Sequence, residues 1–317
     1  MNVLVIGGSR FIGLHLVKLL HAQGHDVSVL NRGQTTVEFP DGITRLQADR
    51  YDSAQISSAL AGKSFDAAYD ISGYDVPSLE PLMKTLEGNI GSFIFCSTTA
   101  VYAPSDTFLV SEDFPLHRSS PRKYSTDKID CEDFLEKVSQ RSNTPVTIIR
   151  PPYVYGPDNY IASREFSFFA RLSQGRKVIV PGDGLNLLHL VHVDDLANAF
   201  ASVLGNQQAA NQTYTVASPD MITTGGFVQT IANVMDVSVE IVHADAIEYD
   251  GQGQQFYPYE HSLSQAYSTD KARRELDWSP QYHMRDGLEM TYRWWLDQDL
   301  SKETWDFSAE DEFLSDK

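Results

Sequence analysis

The stretch that decides the fold is MNVLVIGGSRFIGLHLVKLL, residues 1–20. Residues 2–6 are a short apolar run rich in β-branched side chains, which is typical of a buried parallel strand. The glycine-rich turn GGSRFIG follows at residues 7–13, and apolar residues then recur at helical spacing. A strand, a glycine turn and a helix in this order direct unpaired backbone N–H groups and the positive helix end towards a phosphate.

The following residues extend this unit into a larger sheet. Gly24 ends the helix and residues 26–30 form the next strand, which completes a βαβ unit of a dinucleotide-binding sheet. Further strands are predicted at residues 43–48, 65–72, 93–97 and 145–150, with helices at residues 77–86 and from Tyr124 onward. The predicted fold class is α/β, a Rossmann-type doubly wound parallel sheet with a smaller C-terminal α/β substrate lobe.

The domain boundaries follow from the same patterns. We expect an NAD(P)-binding domain at residues 1–152 with 186–217, a substrate lobe at 153–185 with 218–300, and an acidic tail at 301–317. Residues 187–193 are predicted as one strand, and Asp194 or Asp195 as the cap of the next helix. The histidines and aspartates near this point (His189, His192, Asp194, Asp195) could be drawn as a metal cluster. A strand followed by a capping aspartate explains them better, so no metal site is predicted.

Composition limits the partners. The 317 residues carry a formal net charge of −18 at pH 7, which disfavours nucleic acid or an anionic membrane as a partner. No apolar run reaches the roughly 18 residues that a membrane span needs, and no basic leader precedes the first strand. Cys96 and Cys131 are too few for a disulfide framework. We therefore expect a cytoplasmic protein that binds a small molecule.

The end of the second strand is where the adenosine ribose of a dinucleotide is recognised. A carboxylate there accepts the 2′-hydroxyl of NAD, whereas an arginine accommodates the 2′-phosphate of NADP. This chain has Asn31 and Arg32 at that place, and Arg10 within the glycine turn. The two arginines favour NADP slightly over NAD, with solvated surface charges as the alternative interpretation.

Three residues form a candidate catalytic set. Thr98 follows the fifth strand, and Tyr124 and Lys128 lie one helical turn apart. A free tyrosine has a pKa near 10 and is a poor base at neutral pH. An ammonium about 4 Å away, at an effective dielectric of about 20, contributes about 4 kcal/mol and lowers that pKa by up to about three. The phenol can then exchange a proton with a substrate hydroxyl, while the Thr98 hydroxyl holds the same oxygen.

The pentapeptide YSTDK occurs twice, at residues 124–128 and 267–271. The second copy has no strand-end serine or threonine before it, and it precedes a surface helix pattern. We therefore assign Tyr267 and Lys271 to a structural role and keep the first copy for catalysis.

By these features the chain resembles the extended short-chain dehydrogenase/reductases, in particular the NAD(P)-dependent epimerase/dehydratase family. The similarity lies in GGSRFIG (7–13), CSTTAVY (96–102), YSTDK (124–128), RPPYVYGP (150–157), HVDDLA (192–197) and DKARRELDWSP (270–280). The resemblance implies that Thr98, Tyr124 and Lys128 are catalytic. Together with the patterns above, it predicts cofactor contacts at Gly7, Ser9, Arg10, Phe11, Ile12, Gly13, Asn31, Arg32, Asp49, Arg50, Ile71, Ser72, Gly73 and Pro151. The predicted substrate contacts are Thr99, Tyr153 and Arg164.

Departures from the family pattern bear on the substrate. Sugar-nucleotide 4,6-dehydratases carry an Asp-Glu pair after the threonine, where this chain has Thr99 and Ala100, so dehydration is not expected. Nucleotide-sugar epimerases have asparagine and arginine where this chain has Tyr153 and Leu188, which weakens a UDP-sugar assignment. The glycine turn and Asn31-Arg32 resemble a branch that includes chloroplast stem-loop RNA-binding proteins.

The sequence therefore predicts an NAD(P)-dependent epimerase or oxidoreductase that transfers a hydride at a secondary alcohol or ketone carbon, with a nucleotide sugar or related polyol as substrate. An epimerase retains its cofactor; an NADPH-dependent ketoreductase, the alternative, exchanges it. An RNA-binding protein on a Rossmann scaffold is a rival of another class, disfavoured by the net charge and by the intact Thr-Tyr-Lys set. A sensor of the cofactor without turnover is a third reading. The oligomeric state stays open, a homodimer included.

Overall fold

The computed structural model describes residues 1–244, 256–259 and 263–315. The chain divides into two compact units, each assembled from separate segments. Unit 1 comprises Met1–Pro152, Val193–Ala217 and Tyr267–Ser279, and unit 2 comprises Tyr153–His192, Ser218–Ala266 and Pro280–Lys317. Within the described part of the chain, no helix is both long enough and apolar enough to cross a membrane.

Unit 1 is built around a seven-stranded sheet in which each neighbouring pair of strands is parallel. The strands are β1 (Asn2–Ile6), β2 (Asp26–Asn31), β3 (Thr44–Gln47), β4 (Ala67–Asp70), β5 (Phe93–Cys96), β6 (Val146–Arg150) and β11 (Thr213–Thr215). Their order in space is β3-β2-β1-β4-β5-β6-β11. The order reverses between β1 and β4, and the carboxyl ends of the strands at such a reversal form a ligand crevice. The predicted doubly wound α/β fold is confirmed.

Helices connect these strands. They are α1 (Phe11–Ala22), α2 (Ser53–Leu60), α3 (Val76–Leu86), α4 (Lys123–Ser142), α6 (Val193–Ser202) and α8 (Asp270–Leu276), with 3-10 turns at Thr99–Val101 and Gln207–Ala209. The sequence analysis did not predict α2, whose first turn is capped by the Asp52 carboxylate through the N–H groups of Ala54 and Gln55. His15 of α1 and Asp194 of α6 approach to 2.6 Å, which joins the two helices.

Unit 2 contains short strand pairs around an aromatic core. Strands β7 (Tyr153–Tyr155) and β10 (Leu190–His192) are parallel, as are β8 (Val178–Pro181) and β13 (Ile241–Ala244), whereas β9 (Leu187–Leu188) and β12 (Ile222–Thr223) are antiparallel. The helices are α5 (Glu165–Ser173), α7 (Thr224–Met235), α9 (Met284–Asp297) and α10 (Ser308–Ser315), with a 3-10 turn at Leu300–Lys302. Phe168, Phe169, Phe227 and Trp295 are fully buried between them.

The structure corrects the predicted strand at residues 187–193. It is divided into β9 and β10 at His189, whose Nε2 lies 2.9 Å from the carbonyl oxygen of Ser218. Helix α6 begins at Val193, so Asp194 and Asp195 lie in its first turn and are not its cap. An acidic first turn still complements the positive end of the helix.

Three further segments differ from the predicted domain boundaries. Residues 308–315, which were predicted as part of an acidic tail, form helix α10, and Glu310 of this helix pairs with the buried Arg171 guanidinium. Residues 267–279 belong to unit 1, where the Trp278 indole N–H donates to the Asp195 carbonyl oxygen at 3.0 Å. Residues 186–192 belong to unit 2.

Candidate active site

The glycine turn between β1 and α1 depends on missing side chains at two positions. Gly7 has φ +88°, and a Cβ there would lie 2.5 Å from Ser72 Oγ. A Cβ on Gly13 would lie 2.2 Å from the Gly7 carbonyl oxygen. Since no side chain fits in these spaces, only glycine lets the turn close against β4 and lets α1 start at Phe11, beside the end of β1. Ile12 lies in the first turn of the same helix.

The start of α1 is not capped by its own N-cap side chain. Arg10 forms no side-chain cap, and its Nε donates to Thr35 Oγ1 at 3.1 Å. The first N–H groups of a helix have no partner within the helix, and together with the helix dipole they favour an anion. A glycine turn of this kind fits the pyrophosphate of a dinucleotide.

The end of β2 is joined to the glycine turn by Asn31. Its Nδ2 donates to Ser9 Oγ at 2.5 Å, and its Oδ1 accepts from the Gly33 N–H at 2.8 Å. Arg32, next along the chain, is exposed, and its carbonyl oxygen accepts from Gln47 Nε2 at 3.1 Å. Asn31 therefore joins the end of β2 to Ser9 of the glycine turn, and Arg32 follows Asn31 in the chain.

Arg50, a predicted cofactor contact, forms hydrogen bonds within the protein. Its Nη1 donates to Asp70 Oδ1 at 3.1 Å and to Ser72 Oγ at 2.9 Å, and its Nη2 donates to Asp70 Oδ2 at 2.5 Å. Asp70 is fully buried at the end of β4, and its Oδ1 also accepts from the Ser72 N–H. Arg50 therefore fixes Asp70 and Ser72 at the end of β4, where the predicted cofactor residues Ile71 and Gly73 also lie.

Two other predicted cofactor residues lie at strand ends. Asp49 follows β3, where its Oδ1 accepts from the Tyr51 N–H at 3.0 Å. Pro151 follows β6, and its carbonyl oxygen accepts from the Thr99 N–H at 2.9 Å. Both are on the edge of the sheet at which the parallel strands end.

Lys128 is the most enclosed member of the predicted catalytic set, at 2% exposed. Its Nζ donates to the carbonyl oxygen of Gly73 at 2.7 Å and to that of Cys96 at 2.6 Å, which lie just after β4 and at the end of β5. The ammonium also lies 4.7 Å from the centre of the Phe95 ring. Burial lowers the pKa of Lys128, and the nearby Cys96 and Asp70 offset part of that effect.

Tyr124 opens towards solvent, in contrast to Lys128. It is 45% exposed, and its ring centre lies 6.2 Å from that of Tyr74, which is also exposed. The Lys128 ammonium lies 5.2 Å from the centre of the Tyr74 ring. Because Tyr124 and Lys128 are both within α4, four residues apart, they share one helix face.

Thr98 follows β5 and is 8% exposed. Its Oγ1 accepts from the Ala100 N–H at 3.2 Å and so caps the 3-10 turn Thr99–Val101. Thr99, a predicted substrate contact, is buried at this turn. The sequence thus predicted correctly that Thr98 stands at the carboxyl end of a central strand.

The other two predicted substrate contacts lie in unit 2. The Arg164 guanidinium lies 5.1 Å from the centre of the Tyr153 ring, and its Nη1 donates to the Val154 carbonyl oxygen at 3.2 Å. Tyr153 packs edge-on against Tyr259 with ring centres 5.3 Å apart. The structure therefore brings Tyr153 and Arg164 together.

Sequence reasoning missed a buried ion pair in unit 1. Glu132 and Arg150 are joined through Arg150 Nη2 and Glu132 Oε2 at 2.5 Å. Tyr124, Lys128 and Glu132 are spaced by four residues, which indicates that Glu132 lies on the same helix face as the other two. The sequence does not indicate that its partner is Arg150 on β6. In the part of the chain that is described, no three His, Cys, Asp or Glu side chains are grouped to hold a metal.

Comparison with known proteins bears on the family and the fold of this chain. The model of the NAD dependent epimerase/dehydratase family matches residues 3–82 and 82–217. The chloroplast stem-loop binding protein of 41 kDa b from Arabidopsis thaliana is 32% identical over 100% of this chain and 85% of its own length.

Solved structures show the same fold. The UDP-glucose 4-epimerase of Thermotoga maritima superposes with a TM-score of 0.80 at 20% identity, over 94% of this chain and 99% of that one. The dTDP-glucose 4,6-dehydratase of Bacillus anthracis, in complex with NAD, has a TM-score of 0.79 at 20% identity over 95% and 98%. With more than half of its residues matched by the family model, the chain belongs to the NAD-dependent epimerase/dehydratase family.

Proposed function

We propose that this protein is an NAD(P)-dependent enzyme that oxidises and reduces a secondary alcohol carbon of a nucleotide sugar or related polyol, with net epimerisation as its outcome. The observation that carries the proposal is the buried Lys128 ammonium. It is held by the carbonyl oxygens of Gly73 and Cys96, where two central strands end, and it lies one helical turn from the exposed phenol of Tyr124. Burying an ammonium is costly, and this cost supports a catalytic role for Lys128 in addition to its hydrogen bonds.

A dinucleotide suits the residues of unit 1. The glycine turn, whose Gly7 and Gly13 leave no room for a Cβ, and the start of α1 would hold the pyrophosphate. Ser9, Asn31 and Arg32 would lie at the adenosine ribose, with Asp49 at the adenine. When bound, the cofactor supplies the acceptor and donor of the hydride.

The protein's own groups move the proton. Tyr124 takes the proton of the substrate hydroxyl during oxidation and returns it during reduction. The positive charge of Lys128 favours the phenolate form of Tyr124, and this lowers the barrier to proton removal. The Thr98 hydroxyl holds the reacting oxygen at a fixed distance from the phenol.

Dehydration is not part of this proposal. The residues after Thr98 are Thr99 and Ala100, and neither can act as an acid or a base for loss of water. Thr99 is also buried, with its N–H bonded to the Pro151 carbonyl oxygen. We expect dTDP-glucose, the substrate named for the Bacillus anthracis protein, to give no 4-keto-6-deoxy product with this chain.

The cofactor experiment is direct. The protein is purified without added cofactor, denatured, and the released small molecules are identified by mass spectrometry. A retained dinucleotide supports an epimerase, and an empty site that binds NADPH reversibly supports a ketoreductase. Failure to bind any nicotinamide dinucleotide contradicts the proposal. Arg32→Ala is expected to weaken NADPH binding and spare NADH, because the 2′-phosphate would lose its cation.

Turnover is then tested with a panel. UDP-glucose, dTDP-glucose and their keto derivatives are offered, and product stereochemistry is followed by NMR together with the absorbance of reduced nicotinamide.

A second candidate is binding of structured RNA, which is favoured by the 32% identity to a protein named for stem-loop binding. The net charge of −18 opposes it. Filter binding to a stem-loop RNA at graded salt separates the two. Tight, salt-sensitive binding that is equal in wild type and Tyr124→Phe favours RNA binding; its absence leaves the enzyme.

A further inference from the structure

A buried ion pair lies in the same unit as the proposed catalytic residues. Arg150 donates to Glu132 twice, from Nε to Oε1 at 3.0 Å and from Nη2 to Oε2 at 2.5 Å. Both side chains are buried. Removing two charges from water is unfavourable, and an apolar pair of similar volume is often at least as stable. Stability alone therefore does not account for this pair.

The Glu132 carboxylate connects the segment after β5, which contains Thr98, to helix α4, which contains Tyr124 and Lys128. Ser97, the residue before Thr98, donates from Oγ to Glu132 Oε1 at 2.5 Å. Glu132 is four residues after Lys128 and eight after Tyr124, so the three side chains follow one face of α4. Glu132 thus holds the end of β5 against α4, directly beside the proposed site.

The Arg150 guanidinium connects Glu132 to the loop between Thr98 and Tyr124. Arg150 Nη1 donates to the Glu112 carbonyl oxygen at 3.4 Å, and the guanidinium lies 5.0 Å from the centre of the Tyr102 ring. The Glu112 carboxylate in turn accepts from the Thr215 N–H at 2.7 Å. The loop is therefore fixed to the sheet near its middle.

Arg150 stays charged throughout the working range of pH. Burial alone would lower its pKa, but the hydrogen bonds and the negative charge of Glu132 outweigh burial, so its pKa lies above the ordinary value.

We propose that Glu132 and Arg150 are positioning residues, which set the distance between the Thr98 hydroxyl and the Tyr124–Lys128 pair. The inference rests on the proposed function, because it matters only where these three groups act on one substrate oxygen. Small errors in such a distance reduce catalysis strongly.

The test reads Tyr124 itself and needs no substrate. The protein is labelled with [ζ-13C]tyrosine, and the Tyr124 resonance is assigned by its loss in Tyr124→Phe. Its titration midpoint is then measured in wild type, Ser97→Ala and Glu132→Gln. Ser97→Ala breaks the connection to β5 without changing a charge. Glu132→Gln removes a negative charge, which by electrostatics alone would favour the phenolate and move the midpoint down.

Loss of positioning predicts the opposite sign. We expect both variants to move the Tyr124 midpoint up, towards the value near 10 of a free tyrosine, with NADPH affinity unchanged. Ser97→Thr, which keeps the hydroxyl, is expected to have the wild-type Tyr124 midpoint. If Glu132→Gln does not fold, Glu132→Met with Arg150→Met removes the charges as a pair and is expected to show the same upward shift.

Glu310→Gln is the matched control, since Arg171 and Glu310 form an equally buried pair in unit 2. It is expected to leave the Tyr124 midpoint unchanged. The inference is overturned if Ser97→Ala leaves the midpoint at the wild-type value, or if Glu310→Gln moves it as far as Glu132→Gln does. A wild-type midpoint near 10 instead contradicts the proposed function, whatever the variants do.

Discussion

The two copies of YSTDK place the same five residues in opposite surroundings. In residues 124–128 the tyrosine is 45% exposed and the lysine 2% exposed. In residues 267–271 the tyrosine is 7% exposed, and the lysine is only partly buried. The tyrosines of the two copies therefore differ in exposure, and the difference comes from the backbone that presents them.

The first copy is entirely helical, whereas the second begins in a β-bridge and ends in a helix. Tyr124 and Lys128 are both inside α4, so they share a face. Tyr267 forms a bridge with Val110 and packs against Tyr102, while helix α8 begins only at Asp270. Lys271 accordingly turns to Gln212 Oε1, at 2.9 Å. The spacing of tyrosine and lysine places the two side chains on one face only where a single helix contains both residues.

The largest expected difference between the copies is in turnover. Tyr124→Phe is expected to reduce the rate on the panel substrate by about 10²–10⁴-fold, because the proton-transfer group is lost. Tyr267→Phe keeps the buried ring and is expected to leave the rate unchanged. Steady-state rates and NADPH affinity are measured for both variants. Equal losses in the two variants would remove the distinction between the copies.

The next difference is in stability. Lys128→Met leaves the carbonyl oxygens of Gly73 and Cys96 without their donor, and we expect it to lower the free energy of unfolding by about 3 kcal/mol. Lys271→Met loses one partly exposed hydrogen bond, to Gln212, and is expected to lower it by about 1 kcal/mol. Urea unfolding measures both values. A larger loss of unfolding free energy in Lys271→Met would contradict this expectation.

Much of the fold was readable because buried parallel strands leave a simple pattern. The apolar runs at residues 2–6 and 93–96 are both strands, since the sheet is covered on both faces. Helix α2 was missed because its buried side chains are only Ile56 and Leu60. Helix α10 was missed for a different reason: its acidic composition indicates a tail unless the buried partner Arg171 is known.

The site was predictable to the extent that it is local. The spacing of Tyr124 and Lys128, and the place of Thr98 after a strand, are properties of neighbouring residues. The pairing of Glu132 with Arg150 is tertiary, so no local pattern could reveal it. The pairing of Arg50 with Asp70 of β4 is tertiary in the same way.

The buried Lys128 also makes the free energy of unfolding depend on pH. Burial sets the pKa of Lys128 below its unfolded value near 10.5. Between the two pKa values the unfolded chain binds more protons, so the stability of the wild type rises with pH there, and the contribution is lost as pH falls through the folded pKa. The difference in unfolding free energy between wild type and Lys128→Met should therefore grow as pH rises towards 10.5. A difference that shrinks over that range would contradict this assignment.

The smallest expected effect concerns the aspartates, which should behave alike in the two copies. Asp127 pairs with the exposed Lys123 at 2.6 Å, and Asp270 is exposed in the first turn of α8. Screened surface charges contribute little, so Asp127→Asn and Asp270→Asn should both match the wild type in unfolding free energy and in turnover. Equal, negligible effects would show that Tyr and Lys carry the difference between the copies, and not the pentapeptide as a unit. If Asp127→Asn alone slowed turnover, the charge beside Tyr124 would have to be added to the proton-transfer site, and the comparison would extend to a third residue.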